Sequence, residues 1–190
     1  MRLPHAHIGT VSKDIVIRRA VPADAEPIAT VHVAAWRSAY ANLLPAEYLA
    51  AMSIRRSTVQ TRAALAAGHT ALIAEVDNQV VGYATTGRPR TAGLADGEVE
   101  TLYVLDDYRD RGIGRRLLRA AATQLEQAGC GSLYLWVLAD NPSRWFYERL
   151  GGRPVRRSTT RVAGHSFGQM AYLWDPIGLL TAPQGSAIKT

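Results

Sequence analysis

The sequence predicts one α/β domain with a mixed central sheet of about seven strands and four or so helices. Three observations support this fold class. The chain has 190 residues, which is the size of one domain. Hydrophobic residues make up 47% of it and charged residues 20%, as in ordinary folded chains. Short β-branched runs alternate with stretches of helical periodicity in the order ββ, β-α-β and α-β-β.

The composition also excludes several classes of protein. The single cysteine, Cys130, can form neither an internal disulfide nor a cysteine-based zinc cluster. No run approaches the roughly 18 apolar residues of a membrane span, and the first fourteen residues lack the apolar segment of a secretory signal. We therefore expect a cytoplasmic protein. The net charge is +6, but the arginines are dispersed, so we expect no nucleic-acid partner. Since the sequence has neither an apolar span nor a cluster of metal-ligating residues, we also expect no membrane partner and no metal.

The first part of the predicted domain holds one strand and three helices. Residues 14–19 form a short β-branched run, which predicts the first strand. Pro22 and Asp24 then provide a helix start, and the inner face of that helix shows three-to-four spacing at Ile28, Val31 and Ala35. Further helices are expected after Pro45 and over residues 53–68.

The rest of the domain is richer in strands. Asp77 and Asn78 tolerate positive φ and separate two β-rich runs, which predicts a hairpin. The later pattern predicts strands over 97–105 and 132–138, helices over 112–128 and 141–150, and a closing pair of strands over 155–162 and 169–174. The domain therefore spans 14–174, between an N-terminal tail over 1–13 and a C-terminal tail over 175–190.

The junction between strand 97–105 and helix 112–128 is the most informative segment. Two glycines, Gly112 and Gly114, open the helix, and the first N–H groups of a helix lack internal partners and bind anions. Arg109, Arg111 and Arg115 add positive charge, so we expect a pyrophosphate here. The third glycine of a dinucleotide fingerprint is missing, and no G-K-S/T follows, which excludes a nucleoside-triphosphate P-loop.

Three segments in register resemble the GCN5-related N-acetyltransferase (GNAT) superfamily. Arg109-x-x-Gly112-x-Gly114, preceded by Leu102-Tyr103-Val104, is similar to its acyl-CoA-binding motif, Q/R-x-x-G-x-G/A. The stretch from Asn141 to Gly151 resembles a second signature of the superfamily. The stretch from Val31 to Tyr40 is similar to the opening helices of many bacterial members.

The resemblance implies a GNAT fold and acetyl-CoA as the cofactor. Leu102, Tyr103 and Val104 would pair with the pantetheine arm as an added strand. The remaining implied cofactor-binding residues lie in the loop, at the helix start and in the second motif: Arg109, Asp110, Arg111, Gly112, Ile113, Gly114, Arg115, Asn141, Ser143, Arg144 and Tyr147. Asp110 stands where glycine is commoner, and Gly152 replaces an aromatic residue, which we expect to loosen packing behind Tyr147.

The resemblance also implies the chemistry. Tyr147 occupies the position of the acid that protonates the leaving thiolate, and Val104 N–H would stabilise the acyl oxygen. Glu98 and Glu100 both remain candidates for the base that deprotonates the amine. Strand alternation predicts that residues 98, 100, 102 and 104 share one face of the sheet.

The acceptor side carries no readable motif. The candidates for acceptor binding are Trp36, Tyr40, Tyr83 and the loop from Arg88 to Leu94, because the family's acceptor cleft borders these elements. The expected reaction is acetyl transfer from acetyl-CoA to a primary amine of a small molecule or peptide, by direct attack in a ternary complex. The alternative is a non-catalytic acyl-CoA-binding module. Homodimers are frequent in the family.

Overall fold

A computed structural model describes residues 14–182. Its strands are β1 (Ile15–Arg19), β2 (Thr70–Val76), β3 (Gln79–Gly87), β4 (Gly97–Val104), β5 (Leu133–Leu138), β6 (Arg153–Val162) and β7 (His165–Trp174). Its helices are α1 (Ala25–Ala39), α2 (Ala46–Ala50), α3 (Ile54–Ala66), α4 (Ile113–Gln127), α5 (Arg144–Arg149) and α6 (Gly178–Thr181). The tail predicted over 1–13 lies outside the described residues, as do positions 183–190.

The strands form a single mixed sheet, as predicted. Their order is β1-β2-β3-β4-β5-β7-β6, and every neighbouring pair is antiparallel except β4 and β5, which run parallel. A parallel pair needs a long crossover connection, and α4 provides it. The amino end of α4 therefore lies at the carboxyl end of β4.

The core lies on both faces of this sheet. Helix α4 covers one face with the apolar stripe that its periodicity predicted, namely Ile113, Leu117, Leu118, Ala121 and Leu125, all buried. Burial of each large apolar side chain contributes roughly 1.5–3 kcal/mol. Helix α1 covers the opposite face through Ile28 and Val31, which pack with Ile73 and Tyr83 of the sheet. The sheet is thus enclosed between two helical layers.

Two boundary predictions at the carboxyl end were wrong. Ile177 and Leu180 are buried in the α4-side core, so packed structure continues through α6 instead of ending at 174. Two isolated apolar residues are too few to show a helical period, which is why the sequence suggested a tail. Strand β7 begins at His165, whereas the sequence predicted a start at 169. The connection is shorter than expected because β6 and β7 meet in a tight two-residue turn, Ala163-Gly164, where both residues have positive φ.

Candidate active site

The parallel strands β4 and β5 separate along their length. They pair only at Gly97 with Leu133 and at Glu98 with Tyr134, although both strands continue beyond these pairs. A gap therefore opens in the sheet toward the carboxyl ends of the two strands, beside the amino end of α4.

Main-chain groups of β4 point into this gap. Leu105 N–H donates to Val81 O at 2.9 Å, toward β3. Hydrogen-bonding direction alternates along an antiparallel strand, so the N–H and C=O groups of Leu102 and Val104 point the other way, toward β5. Since β5 has separated there, these groups can pair with an added extended chain.

A cavity of about 770 Å³ passes through the gap. Leu102, Ile113 and Tyr147 line it on the face covered by α4 and α5. A second set of lining residues, on the α1 face, comes from α1, β4 and β5: Trp36, Tyr40, Tyr103 and Trp136. The cavity therefore has two compartments, one on each side of the sheet. We call them the α4 side and the α1 side.

A β-bulge at Glu100 overturns the predicted alternation along β4. Thr101 pairs with Thr85 and Val99 with Thr86, so Glu100 is the extra residue without a partner on β3. Because of the bulge, the β4 residues before Glu100 point to the side of the sheet opposite to the one that simple alternation predicts. Val99 therefore joins the core on the α4 side, and Glu98 turns to the other face. The sequence alone shows no bulge, because nothing in the side-chain pattern marks the inserted position.

The two candidate glutamates consequently occupy different environments. Glu100 lines the cavity, and its carboxylate lies across Gly87, where a Cβ would stand 2.6 Å from Glu100 Oε1. Glu98 is 0% exposed, and it is not among the described residues that line the cavity. Only Glu100 therefore has access to the cavity.

Glu98 is held by hydrogen bonds from Arg90 and Tyr134, including one from Arg90 Nη2 at 2.5 Å. Its carboxylate accepts hydrogen bonds from Tyr134 Oη (2.6 Å), from Arg90 N–H (2.8 Å) and from Arg90 Nε (2.9 Å). Burial alone would raise the pKa of Glu98, but the hydrogen bonds from Arg90 and Tyr134 outweigh it and hold this pKa below its usual range. Glu98 thus anchors the loop between β3 and β4 as a structural anion.

The turn between β4 and α4 has the geometry of an anion cradle. Gly112 caps α4 at φ +76°, and the backbone hydrogen bond from Arg116 N–H to Gly112 O (3.0 Å) begins the helical ladder. The N–H groups of the first turn before Arg116 precede that ladder and lie at the positive end of the helix dipole. Gly112, Ile113 and Gly114 all line the cavity.

Charged side chains surround the cradle unevenly. Arg109, Asp110 and Arg115 line the cavity, whereas Arg111 lies outside its lining with its guanidinium 5.0 Å from the Tyr108 ring centroid. Arg109 forms an ion pair with Asp106 at 2.7 Å. Asp110 has φ +59°, which explains why glycine is commoner at this position.

Tyr147 is 7% exposed and reaches the cavity from α5. Its ring packs edge-on against Phe146 and Trp174 at centroid distances of 5.2 and 6.3 Å. Burial, with a smaller contribution from the nearby Tyr40, raises the pKa of Tyr147, so the phenol keeps its proton. Aromatic packing against Phe146 and Trp174 therefore sets the position of the Tyr147 ring.

The expected loosening at Gly152 was wrong. A Cβ at Gly152 would stand 2.6 Å from Trp174 Cζ2 and 2.9 Å from Tyr147 O. The Trp174 ring already occupies the space of the aromatic residue that is missing from the motif, and its Nε1–H donates to Leu150 O at 2.8 Å. Trp174 is 24 positions away from Leu150 in sequence, so only the fold could show this compensation.

The second motif lies at the start of α5. Asn141 and Ser143 line the cavity, and Ser143 N–H donates to Asn141 Oδ1 at 2.9 Å. Arg144 lies outside the lining, because its guanidinium stacks 4.7 Å from the Trp145 ring centroid and donates to Ala139 O. Two of the three predicted residues therefore reach the cavity.

An aromatic cluster forms the wall of the α1 side. The Trp36 and Tyr40 ring centroids lie 4.8 Å apart, and His32 packs against Trp36 at 5.4 Å and Tyr103 at 5.8 Å. Tyr83 lies behind this wall, where its hydroxyl pairs with His32 Nδ1 at 2.7 Å. It is buried outside the cavity lining, so the prediction that Tyr83 contacts the acceptor is not supported.

Sequence reasoning missed several lining residues. They come from β5 and from the β6–β7 hairpin: Trp136, Leu138, Thr160, Val162 and Gln169. Arg90 also lines the cavity, and it belongs to the loop from Arg88 to Leu94 that was predicted for the acceptor side. Alternation along β5 could have placed Trp136 and Leu138 on one face. No local pattern indicates that the distant hairpin reaches this cavity.

The fold and the site together define an α/β protein with a cavity through its sheet and an anion cradle at the edge of that cavity. The model of the Acetyltransferase (GNAT) family matches residues 33–152. The chain belongs to this family.

Individual relatives agree with that assignment. The uncharacterised N-acetyltransferase YuaI of Bacillus subtilis is 29% identical over 178 residues, which cover 93% of this chain and 97% of that protein. A GCN5-related N-acetyltransferase from Rhodopseudomonas palustris has a similar structure, with TM-score 0.67, 24% identity, and coverage of 88% of this chain and 99% of that one. The structure of yncA from Salmonella typhimurium, solved with acetyl-CoA, has TM-score 0.65, 17% identity, and coverage of 91% and 97%.

Helices capable of crossing a membrane are not found within residues 14–182, where every helix is too short or too polar for it.

Proposed function

We propose that this protein transfers an acetyl group from acetyl-CoA to a primary amine of a small molecule or peptide, by direct attack in a ternary complex. One observation carries the proposal. A single cavity joins the anion cradle at Gly112, the phenol of Tyr147 and the carboxylate of Glu100. These three groups supply phosphate binding, an acid and a base.

The residues present fit the cofactor. The open space at Gly112, where no heavy atom lies within 4 Å of a Cβ, allows a phosphate to approach the main chain. The main-chain N–H and C=O groups of Leu102 and Val104 that point into the gap would form hydrogen bonds with the amides of the pantetheine arm. When bound, acetyl-CoA supplies an activated thioester whose leaving group is a thiolate.

Glu100 is the better candidate for the base. A primary amine has a pKa near 10, so it arrives mostly protonated and must lose a proton before it can attack. Glu100 reaches the cavity, directly or through water, whereas the lone pairs of Glu98 are occupied by Arg90 and Tyr134. We therefore assign base catalysis to Glu100.

Val104 and Tyr147 complete the proposed machinery. Val104 N–H points into the gap and would donate to the acyl oxygen as negative charge develops on it. Tyr147 keeps its proton because burial raises its pKa, so its hydroxyl is available to donate to the departing sulfur.

Direct attack agrees with the position of the only thiol. Cys130 follows α4 and is not among the described residues that line the cavity. Burial and the nearby Asp96 raise the pKa of Cys130, which disfavours the nucleophilic thiolate. A covalent acyl-cysteine step therefore has no support in this site.

The test is acetyl-amine formation from acetyl-CoA and a panel of amines, followed by mass spectrometry. Tyr147→Phe removes only the hydroxyl and is expected to lower kcat about 10- to 100-fold at unchanged CoA affinity. Tyr172→Phe is the matched control, because Tyr172 packs 6.0 Å from Tyr147 but its hydroxyl donates to Glu148 outside the lining. Its kcat should stay within about twofold of wild type.

Glu100→Gln and Glu98→Gln form a second matched pair. The first should lower kcat and change its pH profile, whereas the second should lower stability and leave that profile in place. Calorimetric CoA binding with no acetylated amine from any acceptor would contradict catalysis and favour the non-catalytic CoA-binding module.

A further inference from the structure

The acceptor compartment is the α1 side of the cavity, because the cradle, Ile113 and Tyr147 occupy the α4 side. This assignment rests on the proposed function. The amine must therefore reach the gap from the side that Trp36, Tyr40, Tyr103 and Trp136 line. The chemistry of these walls decides which amines fit.

The first observation is a rigid aromatic wall. Trp36 and Tyr40 lie one helical turn apart with centroids separated by 4.8 Å, and His32 connects Trp36 to Tyr103. The hydrogen bond between His32 and Tyr83 (2.7 Å) fixes this arrangement from behind. Ring faces held in this way attract an ammonium group and an apolar or aromatic body.

The second observation is the charge balance. Among the described residues, Arg90 and Glu100 are the charged side chains that line the cavity away from the cradle and α5. The charge of Arg90 is neutralised by the buried carboxylate of Glu98, to which its Nε donates at 2.9 Å. Moving Arg90 toward a ligand would leave Glu98 as an unpaired buried anion, which is costly. Glu100 therefore sets the net charge of the compartment at one negative charge.

From these two observations we infer that the acceptor is a monocationic primary amine with an aromatic or compact apolar body and no carboxylate beside the amine. Its ammonium would lie near Glu100, and its body would pack against the rings of Trp36 and Tyr40. A carboxylate on the adjacent carbon would approach Glu100 and lose its hydration without a free counter-ion. Free α-amino acids are thus disfavoured by charge rather than by size.

Three amines with one skeleton test this inference: 2-phenylethylamine, L-phenylalaninamide and L-phenylalanine. We expect kcat/KM for 2-phenylethylamine to exceed that for phenylalanine at least about tenfold, with the uncharged amide between them. The full chain is used with saturating acetyl-CoA, and products are quantified by mass spectrometry. Because the amine pKa differs among the three, binding is also measured by quenching of tryptophan fluorescence with CoA present. We expect the binding affinities to follow the same order as kcat/KM.

A matched pair of variants tests the aromatic wall. Trp36→Leu keeps an apolar side chain but removes the ring, and it should reduce the preference for 2-phenylethylamine over n-butylamine at least about threefold. Trp145→Leu is the control, because Trp145 is 54% exposed on α5 and is not among the lining residues. It should keep the wild-type preference.

Two results would overturn the inference. One is phenylalanine turning over as well as 2-phenylethylamine, with that ability lost in Arg90→Gln, which would make Arg90 a carboxylate clamp. The other is acetylation of unrelated amines such as spermidine while no member of the series is bound or acetylated. In both cases acetyl transfer stands and only the substrate class fails. Failure of the proposed function itself would show as CoA binding without any acetylated amine.

Discussion

Replacing Gly112 by alanine tests the anion cradle. Gly112 has φ +76°, and a Cβ built there meets no heavy atom within 4 Å. The substitution therefore introduces backbone strain without a clash. A left-handed L-residue costs about 1–2 kcal/mol. For a chain of this size, that loss lowers Tm by roughly 2–8 °C.

The effect on cofactor binding should be larger than strain alone explains. The new methyl group would occupy the space through which a phosphate approaches the N–H groups of the first helical turn, and hydrogen bonds to charged groups contribute roughly 1.5–3 kcal/mol each. We expect CoA affinity to fall at least about tenfold, which is equivalent to roughly 1.4 kcal/mol. Isothermal titration calorimetry measures the affinity, and differential scanning fluorimetry measures Tm.

Gly68→Ala is the matched control. Gly68 follows α3 at φ +89°, also with no heavy atom within 4 Å of a Cβ, and it is not among the cavity-lining residues. This variant should lose the same few degrees of Tm and bind CoA as wild type does. If the two variants bound CoA equally well at equal loss of Tm, the cofactor would not approach the main chain at Gly112, and the reasoning would be refuted.

Three further predictions concern packing, pH and charge. Gly152→Ala should destabilise the fold by roughly 1–3 kcal/mol in urea unfolding, because its Cβ would stand 2.6 Å from Trp174 Cζ2; a loss below about 0.5 kcal/mol would contradict this packing. Glu98→Gln should cost roughly 1–3 kcal/mol at pH 7, because it removes the charged acceptor of the hydrogen bonds from Arg90 and Tyr134. The pKa of Glu98 is held below its usual 4.5, so its contribution to the free energy of unfolding is complete above pH 4.5 and is lost as the pH falls through the lowered pKa. The unfolding curves of the variant and the wild type should therefore converge in acid. Curves that stayed apart there would count against the pairing. Asp110→Gly should relieve the strain of φ +59° and raise stability by up to about 1 kcal/mol. Asp110→Asn should instead strengthen CoA binding a few-fold at low salt without the gain in Tm. Unchanged CoA affinity in both variants would show that the Asp110 carboxylate does not act on the phosphates.

Most strands and helices followed from local pattern. The apolar stripe of α4 and the Asp77-Asn78 hairpin are signals carried by neighbouring residues, and both predictions are confirmed. The end of the chain was harder, because Ile177 and Leu180 are too few to form a period and become buried only against α4-side core residues distant in sequence.

The site was predictable to a different extent on its two sides. The α4 side depends on one continuous segment, from Leu102 to Arg115, whose glycines and strand-to-helix junction are visible in the sequence. The α1 side gathers residues from α1, β5 and the β6–β7 hairpin, which approach one another only when the sheet forms. No spacing rule connects positions so far apart in sequence.

The sequence by itself determined the α/β architecture, the position of the anion cradle and the resemblance that pointed to an acetyltransferase, because each depends on residues that are neighbours along the chain. The tertiary structure decided which carboxylate reaches the cavity. The bulge at Glu100 turns Glu98 to the other face, and there the Glu98 side chain is enclosed by Arg90 and Tyr134. It also decided the support of Tyr147, since Trp174 fills the space beside Gly152. Strand register and packing between distant segments arise from contacts across the whole sheet, and no local pattern encodes them.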